Sequence, residues 1–189
     1  DQTLTLPKNN TTLDGSASSD ADGTIATYAW TKISGPVAGT ITSPSSVTTA
    51  INGLVQGIYL FELTVTDNNG ATDKDTMQVT VNPAPNIPPV ANAGIDQTIT
   101  LPTNNTTLDG SASNDPDGTI TTYAWVKISG PTAGTITSPA SVTTSITGLV
   151  QGVYQFELAV TDNNGASDKD TMQVTVNPAP NVPPVANAG

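Results

Sequence analysis

Two ten-residue runs, DGSASSDADG at residues 14–23 and DGSASNDPDG at residues 109–118, concentrate carboxylates in short polar stretches. Hard cations such as calcium take several oxygen ligands at about 2.3–2.6 Å, from carboxylates, carbonyls and amides. Asp20 with Asp22, and Asp115 with Asp117, offer two carboxylates in one tight turn, to which the turn's own carbonyls add oxygens. The spacing is not that of an EF-hand, because a third acidic ligand and a closing Glu are missing. Asp-Gly pairs also have a plainer chemistry: Asp bonds its own backbone and Gly takes φ > 0, which suits a tight bend. Residue types alone leave both readings open.

Other chemistry is narrowed by what the chain lacks. It has no His and no Cys, and its five basic residues are all lysines. Ser-His and Cys-His nucleophiles, imidazole bases and thiolate metal sites are therefore excluded. Carboxylate pairs could act as acid and base, but the acids here lie in polar turns that would not raise a pKa towards neutrality. Catalysis is not expected. A net charge of −11 repels nucleic acid and anionic lipid, so neither is an expected partner. No apolar run approaches the ~20 residues of a membrane helix, so no membrane insertion is expected. Without a signal peptide or initiator Met the chain reads as a mature fragment or an excised piece. Lys32 and Lys127 raise the idea of Lys–Asn isopeptide cross-links, but Glu62 and Glu157 fall on the polar face of their strand, away from a buried lysine. The NNT triplets at residues 9–11 and 104–106 fit the N-glycosylation pattern.

The elements that must position these acids come twice. Asp1 matches Asp96, Trp30 matches Trp125 and Gly94 matches Gly189, a period of 95 without insertion or deletion. Of the 94 aligned pairs 15 differ, mostly mildly, as Ile58 against Val153. A period this long suits a small self-contained domain rather than a solenoid turn.

Within a unit the apolar pattern has period two. In IYLFELTVTD, Tyr59, Phe61, Leu63 and Val65 share one face while Leu60, Glu62, Thr64 and Thr66 share the other. TLTLP, TTLDGSAS, TIATYAWTKIS, SVTTAI and TMQVTV supply further strands, separated by turn signals such as DADG, SGP and DNNG. About seven short strands and no helix candidate predict an all-β chain of two tandem immunoglobulin-like antiparallel β-sandwiches. Leu54-x-x-Gly57-x-Tyr59, repeated as Leu149-x-x-Gly152-x-Tyr154, has the form of a tyrosine corner, and Trp30 is the expected core tryptophan.

The string PPVANAGIDQTITLPTNNTTLDGSASNDPDGTITTYAWVKISGP, followed by GVYQFELAVTDNNGASDKDTMQVTV, resembles PKD (polycystic kidney disease) domains, in particular the branch found in tandem in large bacterial surface proteins. The resemblance spans the chain twice. One departure is that Trp30 and Trp125 lead into TKISGP and VKISGP instead of an FGDG-like turn. It implies an extracellular or cell-surface immunoglobulin-like sandwich whose first strand is PVANAG. It also implies a calcium set in which turn acids join an Asn of that strand. The matching residues are Asp20, Asp22 and Asp67 in the first unit, and Asn92, Asp115, Asp117 and Asp162 in the second.

On this reading residues 1–82 form a sandwich lacking its first-strand segment and 83–88 a Pro-rich joint. Residues 89–177 form the second sandwich, and 178–189 a joint with the opening of a third unit. The expected function is a non-catalytic extracellular repeat, the spacer or shaft of an adhesin, stalk or filament. The alternative is an accessory module of a large secreted protein, binding polysaccharide or a surface protein. Near-identical copies and a PVANAG ending suggest partners of the same kind, joined head to tail in a covalent array or by strand addition.

Overall fold

Alternation of apolar and polar side chains accounts for the longest strands. In the computed structural model, which describes residues 1–187 and 189, Tyr59, Phe61 and Leu63 point inward along β6 (Gly57–Asp67). Tyr154, Phe156, Leu158 and Val160 do the same along β13 (Gly152–Asp162). Full burial of each such side chain contributes about 1.5–3 kcal/mol, which fixes these strands as the spine of their sheets.

The chain divides into two compact units, Asp1–Pro85 and Asn86–Gly189. In the first, β1 (Gln2–Thr5), β7 (Thr72–Asn82), β6 and β3 (Ile25–Ser34) form one sheet in that order. The facing sheet runs β2 (Thr11–Asp14), β5 (Thr48–Asn52), β4 (Thr40–Ile41). The second unit repeats this with β10 (Ile120–Ser129), β13, β14 (Ser167–Asn177) and β8 (Gln97–Thr100) against β11 (Thr135–Ile136), β12 (Thr143–Thr147) and β9 (Thr106–Asp109). No helix occurs among the described residues. Each unit is thus a seven-stranded immunoglobulin-like sandwich, as the periodicity predicts.

One pair departs from the antiparallel expectation. β1 runs parallel to β7, from Gln2 opposite Val79 to Thr5 opposite Asn82, and β8 runs parallel to β14 in the same register. A parallel neighbour needs a long connection, and here the whole of each unit is the connection. Side chains extend both ladders: Asp1 Oδ1 accepts from Gln78 N at 2.9 Å and Asp96 Oδ1 from Gln173 N at 2.8 Å.

Each core is closed by a tyrosine corner. The Tyr59 hydroxyl accepts from Val55 N at 2.9 Å and donates to Val55 O at 3.0 Å, and Tyr154 makes the equivalent pair with Val150. Lys32 donates to the carbonyls of Pro36, Val37 and Ala38 at 2.7–3.0 Å and lies 5.9 Å over the Tyr59 ring. Glu62 pairs instead with Lys74, so the acid and the lysine that an isopeptide bond needs have different partners.

Candidate functional site

The acid-rich turn after β2 meets the turn after β6 at one end of each sandwich. Thr24 N donates to Asn68 Oδ1 at 2.8 Å, Asn68 N to Thr24 O at 3.0 Å, and Asp20 Oδ1 accepts from Asp22 N at 3.3 Å. Gly23 lies between the two side chains: a Cβ there would come 2.3 Å from Asn68 Oδ1 and 2.6 Å from Asp20 Oδ2. Asp115, Gly118 and Asn163 repeat the arrangement. Asp67 Oδ1 accepts from Asn69 N and Ala71 N, and so closes its own turn.

The residues of the two expected calcium sets take part in several separate hydrogen-bonding groups. Asp162 is buried, with Oδ1 taken by Asn164 N and Ala166 N and Oδ2 by the Asn86 amide at 2.7 Å. Asp117 accepts from Ile87 N through both oxygens at 3.1–3.2 Å. Asn92 Oδ1 caps Gly94 N at 2.9 Å. Among the described residues no three acidic side chains converge as metal ligands. Asp20 Oδ2 and Asp115 Oδ2 are buried without a hydrogen-bond partner. The Asn86 amide donates to Asp162 and its carbonyl accepts from the Asn164 amide, whereas the Asn92 side chain bonds within its own segment. Asn86 and Ile87, expected in the joint, belong to the second unit's hydrogen-bonding.

The second arrangement was not foreseen. Residues 90–94 lie across the edge of the second unit without forming a strand, and each N–H from Val90 to Gly94 has a partner. Val90 N donates to Asn114 O at 2.7 Å, and Asn114 N returns a bond to Val90 O at 3.1 Å. Ala91 N donates to Asp168 Oδ2 at 2.9 Å, Asn92 N to Ser113 Oγ at 2.9 Å, and Ala93 N to Asp170 Oδ2 at 2.8 Å. Ala91 and Ala93 thereby enter the core. The expected first strand is a segment held mainly by side chains, with one bridge to Asn114. A signal was present in the sequence: Asp168 and Asp170 share the parity of Met172, Val174 and Val176, so two carboxylates stand in inward-facing register.

Hydrogen bonding sets the charge state of these acids. The Asn86 amide holds Asp162 below the ordinary carboxylate value of 3.8, against the opposing effect of its burial. The Ala91 N–H does the same for Asp168, and backbone N–H groups of Ser16 and Ser111 for Asp14 and Asp109. With folded values depressed, the unfolded chain takes up more protons on acidification. Stability from these groups is complete above the ordinary value and lost as pH falls through the folded ones. The urea midpoint should therefore drop as pH is lowered below about 4, and less steeply in Asp162→Asn. Equal pH slopes for the two proteins would remove Asp162 from this account.

Comparison with known proteins follows the same two-unit division. A family model described as K319L-like, PKD domain, matches residues 1–81 and 93–176. The chain is 43% identical over 183 residues to the human dyslexia-associated protein KIAA0319, covering 95% of this chain and 17% of that one. It is 40% identical over 191 residues to the mouse dyslexia-associated protein KIAA0319-like protein, covering all of this chain and 18% of that one. The chain thus spans about a sixth of the length of these curated relatives. Among solved structures, the PKD domain from KIAA 1837 protein is 36% identical, covers 51% of this chain and 92% of its own, and superposes with a TM-score of 0.45. The tandem PKD resemblance holds, but these relatives are mammalian, which corrects the expected bacterial branch.

Proposed function

The chain belongs to the K319L-like PKD domain family, and from that premise we propose that it is a non-catalytic extracellular module, a spacer that transmits tension along a cell-surface protein. The observation that carries this reading is the parallel pairing of β1 with β7 and of β8 with β14. The polypeptide enters β8 beside Val174 and leaves β14 beyond Asn177, at opposite ends of one ladder. Tension on the two ends therefore loads the ladder bonds together, in shear. An antiparallel hairpin pulled from its open end would instead release its bonds one at a time. Leu101 N, bonded to Asn177 O at 3.1 Å, and the Asp96 carboxylate lengthen the loaded zone at both ends.

The binding-module alternative draws little from the aromatic side chains. Trp30, Tyr59, Phe61 and their counterparts Trp125, Tyr154 and Phe156 are all buried, which leaves one partly buried tyrosine per unit, Tyr28 or Tyr123, and no row of aromatics for a sugar ring. Asn86 and Ile87 donate to oxygens of Asp162 and Asp117 in the second unit, and the tension-bearing reading does not depend on calcium.

Single-molecule pulling tests the proposal. Pulled through its termini, the chain should unfold in two events of similar force, each releasing roughly 30 nm of contour at about 3.3–3.6 Å per residue. Handles placed at Asp96→Cys and Gln173→Cys, at the same end of the ladder, should peel it open at clearly lower force. Equal rupture forces in both geometries would argue against a load-bearing role.

A further inference from the structure

Asn is followed by Gly at residues 52–53, 69–70 and 164–165. Such an Asn is open to attack on its own side-chain amide, because no Cβ shields the next backbone nitrogen. Two of the pairs occupy the same turn of their units, between β6 and β7 and between β13 and β14, and there the fold adds to the reactivity. Asp67 Oδ1 accepts from Asn69 N at 2.7 Å and from Ala71 N at 2.9 Å, pinning the chain on both sides of the pair. The Gly70 N–H between them reaches only Asp67 O, at 3.4 Å, so its nitrogen is nearly free. Gly70 is exposed, has φ +91° and has nothing within 4 Å of its would-be Cβ. Asn68 Nδ2 donates to Asn69 Oδ1 at 3.3 Å and so polarises the carbonyl that would be attacked. The second unit repeats each feature. Asp162 Oδ1 accepts from Asn164 N at 2.8 Å and Ala166 N at 2.9 Å, Gly165 N lies 3.4 Å from Asp162 O, and Asn163 Nδ2 lies 3.1 Å from Asn164 Oδ1. Asn52 differs: it ends β5 in the ladder opposite Thr40, and ring closure there must first pull it from an extended strand.

We propose that Asn69 and Asn164 are sites of spontaneous deamidation, and that at Asn164 the reaction releases the entry segment of the second unit. The Gly nitrogen gives up its proton to solvent and attacks Asn Cγ. The new N–Cγ bond closes a five-membered succinimide, the Cγ–Nδ2 bond breaks, and Nδ2 takes up protons and leaves as ammonia. While the tetrahedral intermediate lasts, the amide of Asn68 or Asn163 bonds its oxyanion. Water then opens the ring. Addition at Cγ restores the main chain and leaves an aspartate, whereas addition at the main-chain carbonyl carbon routes the chain through Cγ as isoaspartate. Water is consumed and ammonia released, with no change of oxidation state.

The nitrogen lost from Asn164 is the one that donates to Asn86 Oδ1, while the Asn86 amide donates to Asp162. With carboxylates at both 162 and 164, Asn86 can turn its amide nitrogen towards only one of them, and its carbonyl then faces the other. Isoaspartate adds a main-chain carbon between Asn164 N and Ala166 N, the two donors that Asp162 Oδ1 now holds together. Either product loosens the turn and the hold on Asn86, the residue that leads into the segment docked on Asp168 and Asp170. The reaction needs only the turn and water, so it stands or falls apart from the tension-bearing role.

The test ages the whole chain in mildly alkaline, ammonia-free buffer, both folded and in concentrated urea, and follows each Asn-Gly peptide by mass spectrometry after digestion. In urea the three pairs should convert together, because the Gly dominates the local reactivity. In the folded chain Asn69 and Asn164 should keep or exceed that rate, while Asn52 falls at least tenfold behind. Asn163→Asp preserves the acceptor for Thr119 N, bonded at 2.8 Å, and removes the N–H given to Asn164. It should slow conversion of Asn164 about twofold to tenfold, the factor for one ordinary hydrogen bond lost from a transition state, and leave Asn69 unchanged. Asn164→Asp stands for the product and should lower the second unit's urea midpoint, read by Trp125 fluorescence in a Trp30→Phe background. With Asn86→Ala also present, the same substitution should shift the midpoint much less. Folding that protects both turn asparagines as fully as Asn52 overturns the proposal. So does an unchanged Asn164 rate in Asn163→Asp. A shift from Asn164→Asp that is equal with and without the Asn86 side chain overturns the release of the entry segment.

Discussion

Trp125→Ala is expected to cost the second unit about 3–5 kcal/mol, the range for removing a large aromatic side chain from a packed core. Trp125 is 2% exposed, packs within the second unit's core cluster and donates from Nε1 to Ser141 O at 3.1 Å. The truncation therefore leaves a cavity and also an unpaired carbonyl in the facing layer. Rigid neighbours limit collapse into that cavity: Gly110 abuts both Leu158 and the indole, and a Cβ there would meet Leu158 Cδ2 at 2.7 Å. The chain carries its own internal control, since its two tryptophans lie one in each unit. With Trp125 gone, indole fluorescence reports only Trp30 and should unfold at the wild-type urea midpoint. Circular dichroism follows both units and should split into two steps, the earlier belonging to the second unit. A loss near 4 kcal/mol is a large share of the roughly 5–15 kcal/mol that holds a domain folded, so the early step should begin at low denaturant. A single coincident transition at the wild-type position would mean that the indole is not the centre of that core.

Much of this core was legible in the sequence, because burial follows alternation. Tyr59, Phe61 and Leu63 recur every second residue, and the fold turns that face inward, leaving Leu60, Glu62 and Thr64 on the other. The tyrosine corner was legible too, because Leu54-x-x-Gly57-x-Tyr59 encodes a local contact. The two-residue strands β4 and β11 were not, since two residues carry no period. Nor was the full extent of β7, which begins at Thr72 and not near Met77. Its first half reads TDKD, polar enough to pass for a turn. Such polar residues are stable on a strand because Lys74 pairs with Glu62 on the outer face. On the second unit's copy, Asp168 and Asp170 meet the N–H groups of a segment about 77 residues away. Long-range satisfaction of this kind leaves only a parity signal, and parity is easily overlooked beside a charge. The same limit explains the acids of the turns. Composition shows that Asp162 is present, whereas only the fold shows that Asn86 reaches it first.

Gly130→Ala is expected to be as damaging as any core truncation, although it adds a single methyl group. Gly130 has φ +113°, beyond the left-handed well near +57° that Asn and Asp enter, so any side chain is strained there by about 1–3 kcal/mol. Its Cβ would also lie 2.8 Å from Val153 O and 2.9 Å from Tyr154 Cα. Both are backbone atoms of β13, the strand that pairs with β10 and β14, so neither can swing aside as a side-chain tip would. Relief requires the β10–β13 register to open beside Ser129, where a bulge already interrupts it. That movement pulls Tyr154 from its bonds to Val150 and the Lys127 ammonium from over the Tyr154 ring. Overpacking adds about 1–3 kcal/mol to the conformational strain, for a total of roughly 2–6 kcal/mol. Gly148→Ala separates the two contributions, since Gly148 has φ +70° and nothing within 4 Å of its would-be Cβ. Strain alone predicts a loss of about 1–2 kcal/mol there. Urea unfolding followed by fluorescence in a Trp30→Phe background, where Trp125 alone reports, should therefore rank Gly130→Ala well below Gly148→Ala in stability. Equal losses would show that β10 and β13 do not hold their backbones at this distance, and that the tyrosine corner tolerates movement of the strand beneath it.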